Sequence, residues 1–299
     1  RYCTRPGAIP MNLFCCKSDY SDSSMSLNTG GAKLFNDIFK ELGLFTPPQR
    51  YQYEHGGKQT SAINVRTAID GIPIDIFCAE TEDGESEYYG QYNFNNEKSK
   101  SETLFGMTGV DGYTPEMPMT FEMLNNGAAM CLFKTTSETQ VEQEFDAGAE
   151  TNYPDDVKWA GLTSAQQAAV KRLYGWIRDC VPTGANANNI ASFKSSKFVN
   201  EIDQYFDKDF ILTYYLWTDY FLSVDQRAKN MMLRTWDGKV WYLTYYDGDT
   251  QLGKRNDCFL VYLYTTDRDT YDAEASKYAF EGRESWLWNL VLANLQDEL

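Results

Sequence analysis

The sequence contains a single histidine, His55, and its seven cysteines form no C-x-x-C pair. A structural zinc site needs cysteine and histidine at short spacings, and a disulfide framework needs paired cysteines, so the sequence disfavours both. We therefore expect most cysteines to be buried thiols of a protein made in a reducing compartment. The chain also begins at Arg1 in place of a methionine, so we expect it to be part of a longer polypeptide.

Positive charge is scarce as well, because 27 lysines and arginines face 43 acidic residues and the net charge is −16. Such a charge repels phosphate backbones and anionic lipid, so we expect neither nucleic acid nor a membrane surface as a partner. No apolar run approaches the ~20 residues of a membrane span, and the N-terminal residues lack the apolar core of a secretory signal. The apolar content of 42% is ample for the core of one large or two ordinary domains.

Hydrophobic patterns predict an α+β chain. Short apolar runs and turn residues predict a buried strand at 9–16 that ends at Lys17, a hairpin at 62–79 that turns at Asp70-Gly71, and a strand at 89–94 before an asparagine-rich turn. Helical spacing predicts helices at 30–42, 163–180, 197–206, 207–223 and 286–295. Apolar residues cover nearly all of the helix at 207–223, so we expect it to be buried.

The remaining segments show no clear period. We interpret residues 101–130 as an irregular insertion, since they are rich in Gly, Pro and Met, with a short strand near 129–134. The acidic residues 138–158 are interpreted as a solvated face. The apolar run at 258–264 predicts a buried segment.

The first predicted helix raises a question about phosphate binding. Free backbone N–H groups near Gly30 and Gly31 could hold a phosphate at the start of this helix. The same residues also fit an ordinary helix that Asn28 or Thr29 caps and Gly43 ends, and this simpler interpretation is the favoured one.

The stretch from Tyr220 to Gly253 contains most of the candidate site residues. Asp237-Gly238 predicts a two-residue hairpin turn between the runs 230–236 and 239–246. The open ends of a hairpin lie side by side, which brings together three carboxylates and an amide, those of Asp225, Asn230, Asp247 and Asp249. Oxygen ligands of this kind suit a hard divalent cation. The alternative is that these residues only cap and close turns.

Asp225, Arg227 and Asn230 also stand at the spacing of a protein-kinase catalytic loop. In that loop the Asp accepts the proton of the substrate hydroxyl, a basic residue two positions on neutralises the phosphoryl group, and the Asn binds magnesium. A hairpin then leads to a second metal-binding Asp, where this chain has Asp247. The order of the predicted elements, from the Lys17 strand onward, agrees with that of a kinase.

Several stretches together carry a resemblance to a known family. They are CCKSDYSDSSMSLNTGGAKLFND at 15–37, VRTAIDGIPIDIF at 65–77, GQYNFNNEKS at 90–99, NYPDD at 152–156, FLSVDQRAKNM at 221–231 and YYDGDTQLG at 245–253. The chain resembles the atypical kinases similar to spore coat protein H (CotH), and in particular the CotH-like domains in virion structural proteins of tailed bacteriophages. The resemblance spans most of the chain.

The resemblance implies a protein-kinase-like two-lobed fold, with an antiparallel sheet N-lobe at 1–135 and a mainly helical C-lobe at 136–299 that carries the catalytic hairpin 224–253. It implies that Asp225 is the catalytic acid, that Asn230 and Asp247 are metal ligands, and that Lys17 stands in for the phosphate-binding lysine. The chain departs from the family in two places: the loop histidine is absent, with Gln226 and Arg227 following Asp225 instead, and the Gly-Ser-rich segment that covers the nucleotide in this family is not found before the first strand.

The resemblance also implies a function. We expect a virion structural protein of the tail, neck or adsorption apparatus, assembled in the bacterial cytoplasm, with other virion proteins and further copies of itself as partners. One alternative is an active phosphotransferase that uses ATP with Mg²⁺ or Mn²⁺. Another is a carbohydrate- or receptor-binding module, since the 21 tyrosines and 7 tryptophans suit both interfaces and sugar stacking.

Overall fold

The computed structural model describes residues 11–19, 22, 24, 26–54, 67–105, 114–124, 138–186, 189–223, 225–227, 230–252 and 285–299. The segments predicted at 129–134 and 258–264, and the first part of the hairpin predicted at 62–79, lie outside these residues. In chain order the strands and helices are β1 (Phe14–Lys17), α1 (Leu27–Glu41), α2 (Pro47–Glu54), β2 (Gly71–Cys78), β3 (Glu87–Asn96), α3 (Ser101–Phe105), β4 (Met119–Met123), α4 (Glu138–Gly148), β5 (Ala149–Tyr153), α5 (Ser164–Cys180), α6 (Ser196–Glu201), α7 (Lys208–Tyr220), β6 (Met232–Thr235), β7 (Trp241–Thr244) and α8 (Trp286–Leu295).

The strands form two antiparallel sheets, ordered β1-β3-β2 and β5-β4-β6-β7. The prediction of a chain that mixes helices with antiparallel strands is confirmed. The irregular insertion predicted at 101–130 is wrong for β4, whose five residues are all buried between β5 and β6. Met119, Phe121 and Met123 alternate along this strand, but the prolines before them hid the period. Both partners of β4, the strands β5 and β6, come after the domain boundary predicted at residue 135, whereas β4 comes before it.

The first sheet corrects three predictions. Asp70-Gly71 is not a turn, because β2 runs unbroken from Gly71 and pairs with β3. A Cβ at Gly71 would lie 1.9 Å from Oδ1 of Asn95, so the glycine permits the close approach of the two strands. The asparagines predicted in a turn lie within β3. Cys15 and Cys16 are exposed on the edge strand β1, so their predicted burial is wrong.

The predicted helices are mostly present, with shifted ends. The capping box of α5 is confirmed, since Thr163 Oγ1 accepts from the Gln166 N–H and the Gln166 side chain accepts from the Thr163 N–H. The helix predicted at 207–223 is α7, and it is not buried all round, because Leu216 and Tyr220 are exposed. The acidic segment 138–158 is more than a solvated face, since α4 buries apolar residues and β5 pairs with β4.

The hairpin β6–β7 has a longer turn than predicted. Thr235 and Trp241 form its last strand pair, which leaves a five-residue loop at 236–240. Gly238 has a φ of +70° there, and the Asp237 carboxylate accepts from the N–H groups of Lys239 and Val240 at 2.8 and 3.0 Å. The side-chain acceptor stabilises the wider loop.

A single hydrophobic core joins the second sheet to α1, α5, α7 and α8. Phe35 of α1 stacks on Tyr245, just after β7, at 5.1 Å between ring centroids and meets Trp217 of α7 edge-on at 5.2 Å. These contacts place α1 beside the end of β7, where the predicted site residues begin. No helix in the described part of the chain is long and apolar enough to cross a membrane.

Candidate functional site

The short turn at 225–227, which follows α7, is held by two aromatic side chains. The Tyr214 hydroxyl of α7 donates to the Gln226 carbonyl at 3.0 Å, and the Trp288 indole of α8 donates to the Arg227 carbonyl at 3.0 Å. Both aromatic residues are buried in the core. The turn that carries Asp225 is therefore fixed to two helices, which is how a precise site is supported.

Gln226 connects this turn to Asp247. Its side-chain Nε2 donates to the carbonyls of Tyr246 and Asp247, both at 2.8 Å. Asp247 has φ +57° and ψ +49°, the left-handed region, which aspartate tolerates better than most residues. Strained backbone of this kind often marks functional sites. The hydrogen bonds from Gln226 hold Asp247 in this conformation, a role that the sequence did not reveal.

The Asp247 carboxylate has a partner on each oxygen. Oδ1 forms an ion pair with the Lys17 ammonium of β1, and Oδ2 accepts from Asn230 Nδ2 at 3.3 Å. The Asn230 N–H in turn donates to the Asp225 carbonyl at 2.7 Å. The structure thus brings Lys17, Asn230 and Asp247 together, and Asp225 joins them through its main chain.

No protein-family model matches the chain, and no curated protein matches it either. The chemistry of the site is therefore inferred from its own side chains.

The predicted cluster of three carboxylates is not formed. Within the residues that the structure describes, no three acidic, histidine or cysteine side chains come together as metal ligands. Magnesium, however, keeps several waters and commonly binds through one or two carboxylates together with substrate phosphates. Asp247 and the Asn230 amide oxygen fit this smaller ligand set, because the Asn230 amide nitrogen is the atom that bonds Asp247.

Asp249 interacts electrostatically with Asp19, a residue that no sequence motif had singled out. Asp19 is buried, and its carboxylate accepts from the side-chain amides of Asn28 and Asn93. Burial raises the pKa of the Asp19 carboxyl, the negative charge of Asp249 adds to the rise, and Lys17 opposes it. The one signal in the sequence was that Asp19 lies two residues beyond Lys17, the spacing of residues on one face of a strand. The pairing of Lys17 with Asn93 across the sheet is visible only in the structure.

Arg227 does not reach this cluster. Its side chain is 1% exposed and turns into α7, where Nε donates to Thr218 Oγ1 at 2.8 Å and Nη2 donates to the Tyr215 carbonyl at 2.9 Å. Its guanidinium also lies over the Tyr215 ring and pairs with Asp219 at 3.2 Å. A group that neutralises a transferred phosphoryl must face the substrate, so this placement corrects the role predicted for Arg227 to one of holding the loop.

Gly30 and Gly31 do not offer free N–H groups at a helix start. The helix begins earlier than predicted, at Leu27, because the Asp22 carboxylate accepts from the N–H groups of Ser26 and Leu27 at 2.9 and 2.8 Å. The Gly30 N–H already donates to the Ser26 carbonyl at 2.7 Å. The predicted phosphate site at these glycines is therefore wrong. The predicted helix end at Gly43, with φ +68°, is confirmed, but Asn28 and Thr29 lie inside the helix and Ser26 is its N-cap, so the predicted caps are wrong.

A second lysine borders the site. Lys98, just after β3, forms an ion pair with Glu122 of β4, and its ammonium lies 4.7 Å from the centre of the Tyr246 ring. Burial lowers the Lys98 pKa, but the interactions with Glu122 and Tyr246 together outweigh this effect, so the net shift is upward. Lys17 and Lys98 thus tie the first sheet to two consecutive residues, Tyr246 and Asp247, that follow the second sheet.

Proposed function

We propose that this chain is a kinase-fold domain similar to the CotH-like domains, that it binds ATP with Mg²⁺ or Mn²⁺ at Asp247, and that it belongs to a virion structural protein of a tailed bacteriophage. One observation carries the nucleotide proposal: Asp247 is fixed in a left-handed conformation, with Lys17 and Asn230 on its two carboxylate oxygens. An acid, an amide and a lysine held together in this way suit a metal-phosphate group. The virion assignment rests on the sequence resemblance.

Each residue has a proposed role. Asp247 and the Asn230 amide oxygen hold the metal ion, which neutralises phosphate charge when bound. Lys17 binds the phosphate chain as a compact positive charge. Asp225, half-buried at the mouth of the fixed turn, accepts the proton of an attacking hydroxyl if the domain transfers phosphate. Gln226 and Arg227 position this turn.

The two-lobed arrangement is part of the same proposal. The sheet β1-β3-β2 with α1 would form the smaller lobe, and the sheet β5-β4-β6-β7 with α5, α7 and α8 the larger one. The contact of Lys17 with Asp247 supports this division, since it joins the two sheets where the nucleotide of a kinase-like fold would lie. In this division β4 belongs to the larger lobe.

The nucleotide proposal is tested by thermal unfolding of the full chain with Mn²⁺ and ATP. Ligand that binds only the native state stabilises it, so we expect the melting temperature to rise by about 5 °C at saturation. Asp247→Asn is expected to abolish the rise, and Asp209→Asn, an exposed acid on α7, is expected to keep it. No rise in the unaltered protein at millimolar ATP rejects the proposal.

Phosphate transfer and the virion role need separate measurements. Incubation with labelled ATP detects transfer to the chain or to an added protein, and Asp225→Asn is expected to remove transfer while the thermal shift remains. Retention of transfer in that variant rejects Asp225 as the base. The virion role predicts that the polypeptide is present in purified particles of the phage that encodes it, and its absence from them rejects that role.

A further inference from the structure

The Lys17 ammonium occupies the place at Asp247 that a metal ion would need. Lys17 Nζ forms an ion pair with Oδ1, the carboxylate oxygen that Asn230 leaves open. Two more acids, Asp19 and Asp249, lie close enough to interact electrostatically with each other, and Asp19 also interacts with Lys17. Lys17 is thus paired with Asp247 and attracted by Asp19, and it acts as a tethered counter-ion for these two carboxylates.

The two partners of this ion pair differ in freedom. The Asp247 main chain is held by Gln226 in a left-handed conformation, and its carboxylate is restrained by the hydrogen bond from Asn230. Lys17 is on the edge strand β1, its side chain is 31% exposed, and lysine has a flexible four-carbon stem. If the pair separates, Lys17 is the residue that moves.

The surroundings retain acceptor capacity for a cation. Asn93 pairs with Lys17 across the sheet, and its side chain is fully buried. Its Nδ2 donates to Asp19, while its Oδ1 has no hydrogen-bond partner among the described residues. A buried amide oxygen without a donor is costly, and a nearby cation would satisfy it.

We infer that Lys17 and a divalent metal ion are alternative occupants of the Asp247 site, so that metal binds weakly alone and tightly with a phosphate chain. A metal ion at Asp247 must displace the ammonium, which costs an ion pair. A phosphate chain supplies a new acceptor for Lys17 and removes that cost. The affinities for metal and nucleotide are then coupled, and linkage requires the coupling to be reciprocal. This inference rests on the proposed nucleotide site and adds the order of preference among its ligands.

The test measures Mn²⁺ affinity directly, from the electron paramagnetic resonance signal of free Mn²⁺, in the full chain without nucleotide. Lys17→Met and Lys17→Gln remove the ammonium, so we expect both variants to bind Mn²⁺ about tenfold more tightly than the unaltered chain. Lys17→Arg keeps the charge and is expected to bind no more tightly than the unaltered chain. Lys33→Met, at an exposed position on α1, is the control for the loss of one positive charge. Urea unfolding confirms that each variant is folded.

A second titration adds ADP at a fixed Mn²⁺ concentration. We expect ADP to tighten Mn²⁺ binding to the unaltered chain by about tenfold. The effect should be much smaller in Lys17→Met, because that variant has no ammonium that could move from Asp247 to the phosphate chain. If the unaltered chain binds Mn²⁺ with nucleotide but Lys17→Met and Lys17→Gln bind metal alone no better, the competition is rejected and the nucleotide site stands. If no variant binds Mn²⁺ under either condition, the site itself is rejected.

Discussion

The side chain of Gln226 is hydrogen-bonded to the main chain of Asp247. Its Nε2 lies 2.8 Å from the Asp247 carbonyl and 2.8 Å from that of Tyr246, and Gln226 is fully buried. A buried carbonyl that loses its donor costs about 1–3 kcal/mol, because water does not replace the lost bond. This amide is therefore a main support of the left-handed Asp247.

We expect Gln226→Leu, which keeps the size but removes the donor, to lower the free energy of unfolding by about 2–4 kcal/mol. Metal-nucleotide binding should weaken as well, since Asp247 is no longer held. Urea denaturation measures the first effect and the thermal shift with Mn²⁺ and ATP the second. The matched control is Gln143→Leu on the exposed side of α4. Equal stability of the two variants would show that the Gln226 bonds do not hold the loop.

A conservative change at Arg227 tests whether its side chain holds the loop or acts on the phosphates. Its guanidinium makes several directed bonds to α7 that a lysine ammonium cannot reproduce. We expect Arg227→Lys to lose about 2–3 kcal/mol in urea denaturation while the folded fraction still binds ATP with Mn²⁺. Arg178→Lys, at a less buried ion pair, is the control. If Arg227→Lys is fully stable but loses nucleotide affinity, the guanidinium acts on the phosphates after all.

The parts of the fold with strong local signals could be predicted from the sequence. The capping box at Thr163, the αL residue Gly43 and the apolar helix at 286–295 each depend on neighbours within a few positions. The β6–β7 hairpin was predictable for the same reason, but its turn length was not, because the Asp237 side chain favours a wider loop.

Other parts depend on contacts distant in the chain. The Asp-Gly pair at 70–71 predicts a turn, and only the approach of Asn95 explains Gly71 as a strand residue. The spacing of Asp225, Arg227 and Asn230 predicted a loop, but not that Arg227 turns inward. The pairing of Lys17 with Asp247 spans most of the chain, so no local pattern could show which lysine meets which acid. Such pairs are fixed by tertiary packing.

Gly30 and Gly31 are adjacent in α1, but we expect alanine at the two positions to have opposite effects on stability. A Cβ at Gly30 meets nothing within 4 Å, whereas a Cβ at Gly31 would lie 2.6 Å from Gln251 Nε2 and 3.2 Å from the Tyr245 hydroxyl. Gln251 cannot move freely, because it is buried and bonded to Tyr245 and to the Leu27 carbonyl. Close packing therefore requires a glycine at position 31 but not at position 30.

We expect Gly30→Ala to stabilise the protein by about 0.5–1 kcal/mol, since alanine is the better helix former. Gly31→Ala is expected to destabilise it by about 1–3 kcal/mol through overpacking. Each variant is the control for the other in urea denaturation. A loss of nucleotide binding in Gly30→Ala without a loss of stability would restore the phosphate role for this glycine.

Asp19 makes stability depend on pH. Burial raises its pKa in the folded protein above the ordinary value of 3.8, with the Asp249 charge as a further cause. Above pH 3.8 the unfolded chain loses this proton first, so the folded chain binds more protons and the free energy of unfolding falls as pH rises. The fall ends once pH exceeds the folded pKa.

Asp19→Asn removes this titration. We expect the stability of the unaltered protein, relative to that of Asp19→Asn, to decrease from about pH 4 upward and then to level off, because an amide has no proton to lose. Urea denaturation at a series of pH values measures the difference, which cancels the titration of all other groups. Asp209→Asn, exposed on α7, controls for the loss of one negative charge. A relative stability that rises with pH would mean that the hydrogen bonds from Asn28 and Asn93 outweigh the cost of burial at Asp19.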